Sequence, residues 1–126
     1  MKKANIAIAL VLVTLGACGK AYQVHPGAVN TFDSQAYDTL IVAKAAIDQC
    51  KTDVSNGTFT GAVLANVETA LNGLITAYNV MDSAYQVYHA AAVAGTATPA
   101  QQASVTAGAT QVTTAMSNLT AAKGGK

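Results

Sequence analysis

Arginine and tryptophan are missing from this chain altogether, and charge of either sign is scarce, at 10% of 126 residues. Without arginine there is no planar fork for carboxylates or phosphates. A net charge of +1 leaves no basic patch, so nucleic acid is not expected as a partner. The two cysteines, Cys18 and Cys50, are too few for a disulfide framework or a Cys-x-x-Cys metal site, and the two histidines, His25 and His89, are too few for a metal site of their own. No glycine-rich phosphate loop, nucleophile elbow or Cys-x-x-Cys-His haem attachment is present. No alternating run long enough for a useful strand appears either, which points away from sheet. Alanine, threonine and valine fill the space these residues leave.

At the N-terminus, Met1-Lys-Lys is followed by the uncharged run Ala4 to Leu15, ANIAIALVLVTL. A positive start and a short apolar run are the first two parts of a secretory signal. As a helix, such a run reaches about 18 Å, short of the roughly 30 Å hydrocarbon core, so a permanent span is not expected. The run ends in VTLGACG, placing Cys18 after two small residues. By itself, such a cysteine can be a disulfide partner, a metal ligand or a nucleophile.

Leu15-Gly16-Ala17-Cys18 resembles the lipobox of bacterial lipoproteins, a resemblance that covers only the first 18 or so residues. It implies cleavage between Ala17 and Cys18, a diacylglyceryl group on the Cys18 thiol, and acylation of the new amino terminus by palmitate or a similar chain. One acyl chain holds a protein on a membrane only marginally, whereas two or more anchor it stably. Gly19, where a retained protein of this class carries aspartate, implies the periplasmic face of the outer membrane in a Gram-negative host. The mature domain resembles no family.

Gly19 to Asn30, GKAYQVHPGAVN, has no sustained period and holds the turn signal His25-Pro26-Gly27. With Cys18 it reads as a tether, reaching at most about 40 Å when extended. From Thr31 the pattern becomes helical. Phe32, Ala36, Leu40, Ala43, Ile47, Cys50 and Val54 fall on one stripe, with Asn30 or Thr31 as cap and Asn56 or Gly57 as the left-handed stop. A second stripe, Leu64, Val67, Leu71, Leu74, Tyr78, Met81, Tyr85, Tyr88 and Ala92, alternates steps of three and four. Beside it Ala70, Ala77, Ala84 and Ala91 recur every seven residues and invite close approach of another helix. Gly73 within this helix lowers its stability by about 1 kcal/mol relative to alanine. Thr98-Pro99-Ala100-Gln101 fits a capping box, and Val105, Ala109, Val112, Met116 and Leu119 form a thinner third stripe. These signals predict an all-α, up-down-up antiparallel three-helix bundle over 31–123, with helices at about 31–56, 60–94 and 99–123 and a frayed tail at 124–126.

Antiparallel packing gathers Phe32, Tyr37, Tyr85, Tyr88 and His89 at the end nearest the tether, and Val54, Phe59, Leu64 and Leu119 at the other. Cys50 on its apolar stripe reads as core. The carboxylates Asp33, Asp38, Asp48, Asp53, Glu68 and Asp82 are scattered singly, so most are expected on solvated faces. Ser34, Ser55, Ser83, Ser104 and Ser117 have no histidine and acid paired with them in the sequence, so neither catalytic residues nor a metal or other cofactor is expected. The suggestive feature is the tyrosine stripe. Tyr37, Tyr78, Tyr85, Tyr88 and His89 are either inward-facing core or a candidate interaction surface for another protein or for self-association through the second helix. The resulting expectation is a non-enzymatic envelope lipoprotein whose bundle binds or supports, held on the membrane through Cys18. The alternative is a carrier enclosing a small apolar ligand in a cavity of roughly a few hundred cubic ångströms.

Overall fold

The computed structural model describes residues 27–124, and these form an all-α, antiparallel up-down-up bundle: α1 (Thr31–Ser55), α2 (Gly61–Val93) and α3 (Pro99–Gly124). Among the described residues there is no strand. The signal segment 1–17, Cys18, most of the expected tether and the last two residues of the tail lie outside the described residues.

Each helix starts and stops where its local chemistry requires. Asn30 is the N-cap of α1, its Oδ1 accepting the Asp33 N–H at 2.8 Å. At the other end Asn56 keeps a right-handed conformation, and Gly57 takes the left-handed one at φ +76°. Gly57 and Thr58 then donate their backbone N–H groups to the carbonyls of Val54 and Asp53, closing a Schellman motif. The same device ends α2, where Gly95 and Thr96 donate to Ala92 and Ala91. The capping box of α3 forms as the sequence predicts: Thr98 N–H donates to Gln101 Oε1 at 2.9 Å, and Gln101 N–H donates to Thr98 Oγ1 at 3.1 Å.

The core is the three stripes brought together. Ala36, Leu40, Ala43, Ile47 and Cys50 come from α1; Val67, Leu71, Leu74, Ala77, Met81 and Tyr88 from α2; Val105, Val112 and Leu119 from α3. Val54 and Phe59 pack against it at the end opposite the N-terminus, which we call distal. Few of these side chains are large, so burial depends on the helices lying close together. α2 and α3 are the tightest pair, α1 packs more lightly on α2, and α1 touches α3 least. The closest approach seen from a glycine is at Gly108, where an added Cβ would lie 2.9 Å from the Met81 Cα. The heptad row of small residues on α2 serves this packing: Ala77 is buried, and Ala70 and Ala84 lie against the core. With 33 residues against 25 and 26, α2 is longer than its neighbours by about two turns, as the sequence predicts.

Two glycine-to-alanine substitutions separate helix propensity from packing. Gly73 has nothing within 4 Å of its missing Cβ, so Gly73→Ala should stabilise the fold by about 1 kcal/mol. Gly108→Ala gains the same propensity but forces α3 off the Met81 backbone, and should destabilise by about 1–3 kcal/mol. Thermal or urea unfolding of the two variants checks the opposite signs.

Candidate functional site

At the proximal end, where the described chain begins, a carboxylate is built into the core. Asp33, in the first turn of α1, has 0% exposure. Three donors converge on it. The Val29 N–H donates to Oδ2 at 3.0 Å, His89 Nδ1 on α2 lies 3.0 Å from Oδ1 and 2.9 Å from Oδ2, and the Tyr85 phenol forms a third hydrogen bond. A carboxylate only accepts, so His89 carries its proton on Nδ1 and leaves Nε2 on the other side of the ring. The His89 side chain is 34% exposed, so this hydrogen-bonded pair has one dry partner and one wet one.

Around the pair the aromatic residues are ordered by contact. Tyr85 stacks on His89 with ring centroids 5.6 Å apart, and Tyr37 of α1 lies 6.2 Å from Tyr85 on its own helix's side. Tyr88 turns inward, meets Phe32 edge-on at 5.1 Å, and accepts a hydrogen bond at its hydroxyl from Asn30 Nδ2 at 3.0 Å. The buried side-chain polar atoms of the described residues all have partners. Burial raises the Tyr85 phenol pKa, and the negative charge and hydrogen bond of Asp33 raise it further, so the phenol stays protonated and donating.

Of the residues singled out in sequence, Tyr88 therefore belongs to the core, while Tyr37, Tyr78, Tyr85 and His89 are half-buried along the edge where α1 meets α2. Cys50 is free and buried, as expected, and burial pushes its thiol pKa up, with Lys123 opposing and Asp53 adding. Asp33 departs from the expected solvated position. Its pairing with His89 spans 56 residues and has no local motif. A signal was nevertheless present: counting back by seven from Ile47 and Leu40 lands on Asp33, so the acid occupies a core position of its own stripe.

Chemically, the node holds an imidazole in one tautomer and ties α1 to α2. Among the described residues no group of three or more His, Cys, Asp or Glu side chains is placed to hold a metal ion. Among the described residues, grooves open to solvent include one of about 360 Å³ lined by Asn66, Thr69, Ala70, Ala115 and Asn118 among others, and one of about 450 Å³ lined by Lys51, Val54, Glu68, Leu71 and Asn72 among others.

Asp33→Asn puts an amide donor where three donors already meet, and should destabilise the fold by about 1–3 kcal/mol in urea unfolding. Asp48→Asn, which removes only an exposed pair with Lys44, should change it by less than about 0.5 kcal/mol. The raised Tyr85 pKa also has a pH signature. An unfolded phenol ionises near about pH 10, the folded one higher, so this residue leaves stability untouched below that value and lowers it as pH rises beyond. Tyr85→Phe should abolish that part of the alkaline loss, measured by unfolding free energy across the alkaline range. For a wider context, comparison with known protein families, curated proteins and solved structures finds no match to this chain.

Proposed function

We propose that this chain is a bacterial envelope lipoprotein, anchored through lipids on Cys18, whose bundle is a non-enzymatic module for binding or support at the membrane face. The observation that carries the reading is Leu15-Gly16-Ala17-Cys18 at the end of a short apolar run behind Met1-Lys-Lys. No helix of the described residues is long and apolar enough to cross a membrane, so the reading assigns attachment to Cys18 alone. In a Gram-negative host the location is the periplasmic face of the outer membrane.

The binding role is supported by the proximal end of the bundle. Half-buried tyrosines at the α1–α2 edge combine a broad apolar ring with a polar tip, the combination favoured where a second molecule docks. The Asp33–His89 pair is read as the structural support of that edge, since its carboxylate is fully occupied by donors from the fold itself. Anchored by a tether of at most about 40 Å, the surface works close to the membrane.

Mass spectrometry of the protein isolated from bacterial membranes tests the anchor. The N-terminal peptide should begin at Cys18 and carry the mass of a diacylglyceryl thioether with a further acyl chain. Cys18→Ala should yield an uncleaved chain without the lipid mass. A wild-type product that is cut elsewhere and released without lipid overturns the proposal.

A further inference from the structure

The charges of the bundle are not spread evenly along its axis. The Asp33–His89 and Tyr37–Tyr85 contacts fix which levels of α1 and α2 face one another, and the Gly108–Met81 approach does the same for α3. On that scale the part of the bundle from Asp82 and Ile41 to the proximal end holds Asp33, Asp38 and Asp82 and, among the described residues, no lysine. Lys44 lies at mid-bundle, level with Tyr78 and one turn beyond Ile41, and is paired there with Asp48; Lys51 and Lys123 lie in the distal half with Asp53 and Glu68. Asp33 has His89 beside it, so the proximal part stays net negative in either protonation state of the imidazole.

The aromatic edge runs from mid-bundle into this part. Tyr78, Asp82, Tyr85 and His89 follow one another on α2 at steps of four, three and four, and so share a face. Across from them Tyr37 is followed one turn on by Ile41, a large apolar side chain 50% exposed. Aromatic rings offer a negative face to cations, and an acidic surround strengthens the attraction. From Tyr78 to His89 the strip runs about 16 Å, long enough for several side chains of a peptide and longer than a single ammonium requires.

We propose that this edge is a docking surface for a lysine- or arginine-bearing segment of a partner protein. Its cationic heads sit over Tyr37 and Tyr85 beside Asp82, and an apolar neighbour covers Ile41. The proposal deepens the binding-module reading and rests on it, while lipidation at Cys18 is independent of it. Loss of lipid with retained peptide binding would sink the anchor alone, and the reverse result would sink this surface alone.

The test uses the full chain in neutral detergent, with a short oligo-lysine peptide as probe and oligo-glutamate as its counterpart, followed through the tyrosine ring signals by NMR. Oligo-lysine should shift Tyr37 and Tyr85, with an affinity that falls as salt rises. Asp82→Asn should weaken it about fivefold, and Tyr37→Leu comparably, with helix content unchanged by circular dichroism. Asp53→Asn makes the same change of net charge in the distal half and should leave affinity within about twofold. Equal losses at Asp53 and Asp82 would reduce the effect to net charge and overturn the proposal. So would an absence of ring shifts, an equal response to oligo-glutamate, or binding to vesicles with ammonium headgroups in place of the peptide.

Discussion

A core made mostly of alanine, valine and leucine removes enough surface from water only if the helix backbones come close. Gly108 over Met81 is where that requirement is most visible: the missing Cβ is the space the partner helix occupies. Everything else in the α2–α3 pair follows from that distance. Ala77 is buried beside the seam, and the small residues at Ala70, Ala84, Ala109 and Ala115 pack against the core without pushing the helices apart. Threonines on the outer surface of α3 return their hydroxyls to their own backbone, as Thr106 does to Gln102 and Thr110 to Thr106, so a helix of mediocre propensity depends on this packing for its existence.

Close packing of small side chains gives stability without much shape, and a stripe that repeats every seven residues fits equally well two turns along. α1 packs more lightly than α3 does and is the helix most exposed to such slippage. The proximal polar node supplies what the stripe lacks. Asp33 finds the Val29 amide, the Tyr85 hydroxyl and His89 together in only one register, and Asn30 reaches the Tyr88 hydroxyl only there. Moving α1 by that step would take the carboxylate away from its donors, a far larger penalty than any gain from apolar contact. This is the use for which buried polar groups are best attested: they select among packings that hydrophobicity alone leaves nearly equal.

The helices were legible because their signals are local. The four-three alternation of Leu64 to Ala92, the capping box at Thr98 and Gln101, and the glycine stop at Gly57 each lie within a few residues of the structure they specify. Burial along the stripes followed from the same period. The node was not legible in that way, since its members come from two helices and pair across 56 residues of sequence. Acid in the first turn of α1 has a sufficient local explanation in the helix dipole, and that explanation concealed the second one. Only the heptad phase of Asp33 with Leu40 and Ile47 marked it as an inward residue. Glycine 108 was equally silent: its role depends on which turn of α2 faces it, a fact of tertiary register.

The position of the node also bears on what the bundle can present. Because the acid is saturated from within, the node adds rigidity to the α1–α2 edge. His89 stacks on Tyr85, Tyr85 donates to Asp33, and Tyr37 closes the row from α1, so each ring's orientation is set by the next. A surface whose aromatic side chains are already ordered loses little conformational entropy when something docks on it, which is the usual distinction between a strip of exposed rings and a recognition surface. The buried pair that fixes the register of α1 thereby fixes the spacing of the tyrosines, and fold specificity and surface preorganisation become two consequences of one carboxylate.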